Sequence, residues 1–252
     1  MLPQNTIQEQ MMVNMNKENK RIFYQPDTKD EYLDEIAEAL LNGSEQQQPQ
    51  YNSSKGIDKG DYIFMPSHNL LVAKKRSHLN KNWYEAHKAL HNEGARMLTL
   101  IEFVDFLNLL RNGDDEFKRI YNEIGEVRRE SWKIEWLDVD FKVIKGILHI
   151  NYDHRFVNGI LTPKNSEPLE VCLIQDKTPG ISIGDWLSNP IRQGLPRANI
   201  QDGSLYYLYP RSDNNSVARF DAGSGRAYLD CYWNQQDSYA SLGVRASREN
   251  ME

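Results

Sequence analysis

The sequence predicts an α+β fold in which helices pack on antiparallel strands. Between residues 82 and 129, apolar side chains recur at helical spacing in three consecutive stretches. Beyond Trp132 the spacing changes to every second residue, which is typical of half-buried strands. Helices followed by strands, rather than alternating with them, favour an α+β domain over a doubly wound one. At 252 residues the chain is long enough to bury one large core.

Residues 1–60 differ in composition from the rest of the chain. They are rich in Gln, Asn, Lys and Glu and contain few large apolar residues, so we predict a largely flexible N-terminal arm. One short amphipathic helix is predicted within it, at about residues 30–42, from the helical spacing of its apolar residues. The domain boundary is placed near Gly60, which leaves residues 61–252 as the main domain.

Local signals mark the first elements of the main domain. A predicted pair of strands is interrupted by Pro66, because proline cannot donate a ladder hydrogen bond. Asn82 is placed to cap a first helix that ends at Gly94. Thr99 is placed to cap a second helix, with Glu102 at the third helical position as in a capping box.

Turn residues mark the later elements. A third helix, with an apolar stripe opposite its charges, follows residue 113. Lys145-Gly146 and Asn158-Gly159 separate runs rich in β-forming residues and are typical of hairpin turns, so antiparallel strands are predicted around them. A short helix is predicted from Ser182 to Leu187, because the Asn189-Pro190 pair stops it.

Composition argues against several classes of protein. With 30 Lys and Arg against 36 Asp and Glu, the chain carries no excess of positive charge, and nucleic acid is not an expected partner. No apolar run reaches the length of about 18 residues needed for a membrane span. The first residues lack the basic and apolar regions of a signal peptide, so we expect cytoplasmic synthesis without classical secretion. Cys172 and Cys231 are predicted to be buried free thiols.

The segment from Tyr206 to Arg248 has the composition of a recognition surface. It is rich in Tyr, Ser, Gly, Asn and Trp, residue types that give large contact areas and adaptable hydrogen bonds. Alternation in residues 227–232 places Tyr228, Asp230 and Tyr232 on one face of a strand and the apolar residues between them on the other. The alternative interpretation is an ordinary strand whose outward residues simply face water.

Several blocks of the sequence resemble the variable proteins of diversity-generating retroelements, particularly the archaeal and archaeal-virus group. The blocks are EAHKALHNEGARMLTLIEFVDFL, WLDVDFKV, LTPKNSEPLE, PGISIGDWL, YPRSDNNSVARF and SLGVRASR, and the match covers about residues 61–248. The resemblance implies a C-type-lectin-like fold of the subclass shared with formylglycine-generating enzymes. It also implies a non-catalytic protein for ligand binding and receptor recognition, whose hypervariable C-terminal contact residues are rewritten by adenine-directed mutagenesis.

The resemblance implies a diversified segment at about residues 221–241. Adenine replacement in asparagine codons yields residue types such as Asn, Asp, Ser, Tyr and Gly. The expected ligand-binding residues are Asp221, Gly223, Ser224, Gly225, Arg226, Tyr228, Asp230, Tyr232, Trp233, Asn234, Asp237, Ser238, Tyr239 and Ser241. Trp233, Gln235 and Gln236 cannot arise from such codons, so each is either fixed or comes from another template codon. The side chains of Arg211, Asp213, Asn214 and Arg219 are expected to form a scaffold of buried or half-buried hydrogen bonds.

The expected partner is a protein or glycan on a target surface. The N-terminal arm is a candidate for docking the domain to a larger assembly, and the expected location is a virion surface or a cell surface. The alternative function is a formylglycine-generating-type copper-dependent oxidase, or another enzyme on the same fold. Such an oxidase uses a cysteine pair, whereas Cys172 and Cys231 are far apart in the sequence. We therefore expect neither an enzyme nor a bound cofactor.

Two possible metal sites are weighed, and neither is predicted. Asp213, Asn214 and Asn215 offer oxygen ligands suited to calcium, but the sugar-binding signatures of calcium-dependent lectins are absent. His87 and His91 have the i, i+4 spacing of a zinc site on a helix. The sequence between them lacks the glutamate of a zinc hydrolase, so both are interpreted as surface histidines.

Overall fold

The computed structural model describes residues 57–125, 132–211, 216–223 and 225–251. The predicted helix at about residues 30–42 and most of the predicted arm lie outside this part of the chain. The predicted boundary near Gly60 falls inside a strand hairpin, because the residues before it already form a strand. Gly60 has a φ of 70°, so it serves a tight turn that glycine adopts without strain.

A four-stranded antiparallel sheet joins the two ends of the described domain. Its strands are β1 (Ile57–Lys59), β2 (Tyr62–Met65), β3 (Leu70–Ala73) and β12 (Ser247–Glu249), in the order β1-β2-β3-β12. A 3-10 turn starting at Pro66 separates β2 from β3, where the sequence predicts an interruption. Because β12 pairs with β3, strands from the two ends of the described domain complete one sheet, with Ser247 opposite Val72.

A larger sheet forms the centre of the domain. Its strands are β4 (Lys133–Ile144), β5 (Ile147–Val157), β6 (Ile160–Pro168), β7 (Lys177–Ile181), β8 (Leu205–Leu208), β9 (Ser216–Gly223), β10 (Arg226–Asn234) and β11 (Leu242–Val244). Their order is β6-β5-β4-β9-β10-β8-β7, and β11 pairs with β4. β10, which lies within the predicted contact segment, is therefore an inner strand of the sheet, between β9 and β8.

The hairpin turns of this sheet are where the sequence predicts them. Lys145 and Gly146 join β4 to β5 with φ values of 52° and 85°, and Asn158 and Gly159 join β5 to β6 with 52° and 80°. Both residues of each pair adopt the left-handed conformation that a tight hairpin turn requires. The prediction of antiparallel strands needs a correction, because β10 pairs with β8, and β11 with β4, in parallel. The alternation within a strand does not encode the direction of a distant neighbour.

Four α-helices occur in the described residues, and their bounds agree with the local signals. They are α1 (Trp83–Asn92), α2 (Leu100–Asn112), α3 (Asp115–Gly125) and α4 (Ile183–Ser188). Asn82 and Thr99 each form a capping box with the glutamate three residues later. These reciprocal bonds satisfy amide groups that the first turn leaves open, which is why both helices begin where predicted.

Two apolar clusters lie on opposite faces of the large sheet. The first, called here the helical cluster, contains buried residues of α2, α3 and α4 together with Ala218, Phe220 and Ala222 of β9. The second, called the α1 cluster, contains residues of α1 and β11 together with Val217. Because neighbouring residues of a strand point to opposite faces, β9 is covered on both sides, and all of its eight residues are buried.

The helices have no membrane-spanning character. Within the described ranges, no helix combines the length and the apolar composition needed to cross a bilayer. The expectation of a chain without a membrane-spanning helix is met for these residues.

Candidate functional site

β10 carries the centre of the predicted contact segment, and its side chains alternate between two environments. Ala227, Leu229 and Cys231 are buried in the helical cluster, as the alternation predicts. Tyr228 and Tyr232 lie on the other face and are half-buried. Residues 227–230 pair with both β9 and β8, so the backbone at Tyr228 is held on both sides. The register with β9 shifts between Asp230 and Trp233, so Tyr232 lies at an irregularity of the strand.

Two residues predicted to contact a ligand are instead buried. Asp221 of β9 and Asp230 of β10 are 2% and 1% exposed, on the sheet face that the α1 cluster covers. Nη2 of Arg219 lies 2.7 Å from Oδ2 of Asp221 and 3.5 Å from Oδ2 of Asp230. The indole ring of Trp233 lies over the Arg219 guanidinium at 3.4 Å. The contact prediction is wrong for these two aspartates, whereas the scaffold prediction for Arg219 agrees with its burial.

Burial also changes how these carboxyl groups titrate. Removal from water raises the pKa of Asp221 to about 7 and that of Asp230 to about 6, because burial disfavours a charged carboxylate. The positive charge of Arg219 acts in the opposite direction on both groups and only partly offsets the burial. Protons therefore bind this cluster more tightly in the folded chain than in the unfolded one.

The glycines of the segment have different roles. Gly223 is buried, and a Cβ atom placed on it would lie 2.9 Å from Cα of Trp132, so the prediction of Gly223 as a contact residue is wrong. Gly225 is exposed and has a φ of 89° in the turn between β9 and β10. Glycine adopts this left-handed conformation readily, so Gly225 forms the turn while remaining open to solvent. Ser224 lies outside the described residues.

One group of exposed or half-buried residues surrounds the start of β10, and we call it the aromatic patch: Trp132, Tyr206, Arg226 and Tyr228. The ring of Tyr228 packs edge to face with that of Tyr206 at 5.1 Å and tilts against Trp132 at 6.1 Å. Nη1 of Arg226 donates a hydrogen bond to the Tyr228 hydroxyl at 3.2 Å. A cavity of about 450 Å³ is lined by Arg226 together with Ala227 and Phe220 of the helical cluster, so it opens on the opposite face of the sheet from the Tyr228 ring.

A second group lies in the loop after β10, which we call the β10 loop (residues 235–241). Its side chains are exposed or half-buried: Gln235, Gln236, Asp237, Ser238, Tyr239, Ala240 and Ser241. Asn234, at the end of β10, is also exposed. The hydroxyl of Tyr239 donates to Asp237 at 3.3 Å, and its ring packs on Trp233 at 6.4 Å. Trp233 and Tyr239 are both partly buried against the α1 cluster, so each ring contributes to packing as well as to the surface.

Backbone hydrogen bonds hold the β10 loop against the rest of the domain. The amide of Trp83 donates to the carbonyl of Gln235 at 3.1 Å, and the amide of Asp237 donates to the carbonyl of Asn234 at 3.2 Å. Nη1 of Arg76 donates to the carbonyl of Ser241 at 2.7 Å. The acceptors and two of the donors are main-chain groups, so exchange of the loop side chains leaves these bonds available.

The remaining scaffold residues are only partly described. Arg211 is exposed, and its guanidinium lies 5.9 Å from the ring of Tyr232, so its side chain belongs to the surface instead of a buried network. The Arg211 main chain is held by Ser216, whose hydroxyl accepts from the amide and donates to the carbonyl, each at 3.1 Å. Asp213, Asn214 and Asn215 lie outside the described residues.

A third group of polar residues lies beneath α1, away from the predicted segment, and we call it the buried triad: His87, Asp138 and His154. His87 is 3% exposed, so its interpretation as a surface histidine is wrong. Nδ1 of His154 lies 2.5 Å from Oδ1 of Asp138, and Nε2 of His87 lies 3.6 Å from the same oxygen. On its other side, Nε2 of His154 lies 3.3 Å from Oδ1 of Asp140.

The two histidines of the triad titrate in opposite directions. Burial lowers the pKa of His87 to about 4, because charging the ring away from water is unfavourable. Burial also disfavours the charged form of His154, but its hydrogen bonds to Asp138 and Asp140 outweigh that effect and raise its pKa to about 9. The folded chain therefore holds one neutral and one charged imidazole about the same carboxylate.

Sequence reasoning missed the triad, although one signal was present. Asp138 and Asp140 alternate with Leu137, Val139 and Phe141 in β4, and such an alternation is naturally interpreted as a solvent-facing set of aspartates. Their burial depends on α1, which covers this face of the sheet. Asp153, which precedes His154, has a φ of 57°, which is unusual for a residue other than glycine. None of these contacts is local in sequence.

Both cysteines are buried and free, as predicted. They belong to the helical cluster, on the sheet face opposite the buried triad. Burial raises the pKa of the Cys172 thiol to about 12 and raises that of Cys231 as well. Protonated thiols are poor nucleophiles and poor metal ligands.

Comparison of the chain with models of protein families, with curated proteins and with solved structures finds no match.

Proposed function

We propose that this protein binds a ligand through β10 and the β10 loop, on a C-type-lectin-like scaffold whose contact residues are diversified by a retroelement. The observation that carries the proposal is a separation of roles along one segment. The candidate contact residues are Gly225, Arg226, Tyr228, Tyr232, Asn234, Asp237, Ser238, Tyr239 and Ser241, all exposed or half-buried. Between them, Ala227, Leu229, Cys231 and Leu242 belong to the core.

The tyrosines supply the binding energy in this proposal. Tyr228, Tyr232 and Tyr239 each retain solvent-accessible ring surface while being held at a fixed backbone position. A ring held in this way loses little conformational entropy when a partner covers it. Truncation of such aromatic residues in protein interfaces commonly costs about 2 kcal/mol or more. Ser and Asn positions between the rings provide adaptable hydrogen bonds.

The chemistry of the segment favours a protein or glycan as the ligand. Aromatic faces beside amide, hydroxyl and carboxylate groups suit a surface that is partly apolar and partly polar. We propose that the domain acts at a virion or cell surface, with the N-terminal arm docking it to a larger assembly. The resemblance of the sequence blocks to retroelement variable proteins supports this part of the proposal.

The alternative function, a copper-dependent oxidase, has weaker support. Copper chemistry on cysteine needs thiolates that an ion and a substrate can reach. Cys172 and Cys231 are buried in the helical cluster, and burial raises the pKa of both thiols. No second functional observation among the described residues favours this enzyme.

Sequencing of the DNA that flanks the gene tests the diversification. We expect a near-copy of the region encoding residues 221–241 that differs from it at adenines, together with a reverse transcriptase gene. Codons for the buried residues Asp221, Gly223 and Asp230 should be unchanged in most expressed variants. A flanking region without such a repeat would contradict diversification by a retroelement. Ligand binding would not be affected by that result and is tested separately.

A binding screen tests the contact surface. The full chain is screened on a glycan array and against a displayed-peptide library, and each probe that binds is titrated. We expect the triple variant Tyr228→Ser, Tyr232→Ser, Tyr239→Ser to bind the probe at least about 100-fold more weakly. Tyr84→Ser removes an exposed ring from α1 and is the matched control, which should bind as the wild type does. Equal affinity of the triple variant would contradict the proposed surface.

A further inference from the structure

The buried triad joins three elements that have no role in the proposed contact surface. His87 comes from α1, Asp138 from β4 and His154 from β5. All three side chains are buried, and ligand atoms offered by the three lie within 4.8 Å of one another. A carboxylate and two imidazoles converge here on the face of the sheet that α1 covers.

One nitrogen of the triad has no hydrogen-bond partner. Nε2 of His87 is buried and unpaired, and Oδ1 of Asp138 is 3.6 Å away. That separation is too long for a hydrogen bond. A buried polar atom without a partner is unfavourable, so a bound ion or a water molecule is expected beside it. The lone pair of a neutral imidazole nitrogen is a good metal ligand.

We propose that His87, Asp138 and His154 bind one divalent transition metal ion of the zinc class, which cross-links α1 to β4 and β5. Two imidazole nitrogens and one carboxylate oxygen form a ligand set that zinc accepts. Metal-ligand bonds of about 2.0–2.2 Å in a tetrahedral arrangement place ligand atoms about 3.3 Å apart. The 3.6 Å between His87 Nε2 and Asp138 Oδ1 already approaches that separation.

Binding of the ion requires one small local change. The ion takes the place of the proton between His154 Nδ1 and Asp138 Oδ1, and that proton leaves to solvent. The two atoms, 2.5 Å apart without a metal, must separate by about 1 Å to accept it. Oδ1 of Asp140, 3.3 Å from His154 Nε2, then orients the imidazole from its other side. A carboxylate that accepts the second N–H of a metal-bound histidine is a common outer partner.

A route from solvent leads to this cluster. A cavity of about 290 Å³ is lined by Trp83, Asp140, Lys142 and His154, among others, so it reaches the edge of the buried triad. Trp83 packs edge-on against the rings of His87 and His154, at 4.3 Å and 5.0 Å. Its Nε1 donates to the carbonyl of Leu137 at 2.9 Å, which fixes this wall of the site. A water molecule from the cavity can complete the coordination.

Zinc titration of the untagged full chain tests the proposal. The protein is stripped with a chelator, and ZnCl2 is added in an isothermal titration calorimeter. We expect one zinc ion to bind per chain. At a free zinc concentration of about 100 times the Kd, we expect the Tm to rise by about 5–10 °C. His87→Gln should weaken zinc binding at least about 100-fold. His91→Gln, which changes an exposed histidine one turn later on α1, is the matched control and should bind as the wild type does.

The results distinguish the metal site from a metal-free ion pair. Absence of stoichiometric binding by the wild type, or unchanged binding by His87→Gln, would overturn the proposal. Loss of binding in His91→Gln alone would also overturn it, because the ion would then occupy a surface site. If His87→Gln does not fold, cobalt replaces zinc in the wild type, and the intense visible absorption of tetrahedral cobalt is expected. Weak octahedral absorption would argue against the buried ligands.

Discussion

At the scale of residues, burial changes the meaning of the aspartates on β9 and β10. Asp221 and Asp230 have the residue type expected of an exchangeable contact position, yet both face Arg219 in the interior. A charge taken out of water is tolerated when it is paired. Arg219 supplies that pairing, and the ring of Trp233 covers its guanidinium. The two aspartates connect β9 to β10 in the interior and are not exposed to a ligand.

The raised pKa of Asp221 predicts how stability depends on pH. Burial raises this pKa from 3.8 to about 7, so the native protein binds the proton more tightly than the unfolded chain does. The free energy of unfolding should therefore fall as pH rises from about 4 to about 7. Asp221→Asn removes the ionisation while keeping the shape. As the pH rises from 5 to 8, the free energy of unfolding of this variant should increase by about 2–3 kcal/mol relative to that of the wild type.

Chemical denaturation of both proteins at the two pH values measures this difference. Asp202→Asn is the control, because its exposed carboxylate makes only a surface ion pair with Lys177 and should not alter the pH profile. A difference between wild type and Asp221→Asn that is constant with pH would show that Asp221 remains ionised throughout the range.

At the scale of elements, β10 combines a fixed backbone with side chains of unequal importance. Leu229 is fully buried and Cys231 packs beside it, whereas Tyr228 and Tyr232 are half-buried on the other face. Residues 227–230 are paired on both sides, so the backbone position of Tyr228 does not depend on its ring. In the proposed function, the buried residues of the strand provide stability and the alternate residues provide recognition.

This assignment predicts unequal costs of substitution. The triple variant Tyr228→Ser, Tyr232→Ser, Tyr239→Ser should lose only about 1–2 kcal/mol of unfolding free energy, because partly exposed side chains contribute little. Leu229→Ala alone should lose about 2–5 kcal/mol through the cavity that it leaves in the helical cluster. Urea denaturation of the two variants provides the comparison. Loss of cooperative unfolding in the triple variant would show that the rings belong to the core.

Helix starts and hairpin turns could be predicted because their determinants are local. Asn82 and Thr99 cap helices through residues three positions away, and Lys145-Gly146 sets the turn that it occupies. The parallel pairing of β10 with β8 could not be predicted, because it depends on strands far apart in sequence. The same reason explains the missed burial of Asp221 and His87, since each is covered by a distant element.

At the scale of the whole molecule, the small sheet connects the first and last strands of the described domain. The hydroxyl of Ser247 donates to the carbonyl of Arg96 at 3.1 Å, and the Asn250 amide donates to Asn69 at 2.9 Å. β12 therefore contacts both β3 and the segment that precedes α2. A strand with contacts to two separate parts of the chain is expected to contribute to cooperative folding.

Truncation tests this contribution. A chain that ends after Ala246 lacks β12 and leaves the backbone groups of β3 unpaired over buried residues such as Val72. We expect it to lose at least about 3 kcal/mol of unfolding free energy, since several backbone hydrogen bonds and their packing are removed together. Removal of Met251 and Glu252 alone is the control, because Met251 is 96% exposed. Circular dichroism during thermal denaturation separates the two truncations, and equal Tm values would contradict the prediction.

The ion pairs of Arg219 with Asp221 and Asp230 limit which clones of a randomised library can fold. Replacement of Asp230 by Tyr or Gly would leave a buried guanidinium with one counter-charge fewer, and loss of both aspartates would leave it with neither neighbouring acid. Clones altered at both positions would be removed by misfolding before selection for affinity begins. If the segment is diversified as proposed, the usable repertoire is smaller than the number of exchangeable codons suggests, and it is concentrated in Tyr228, Tyr232 and the β10 loop.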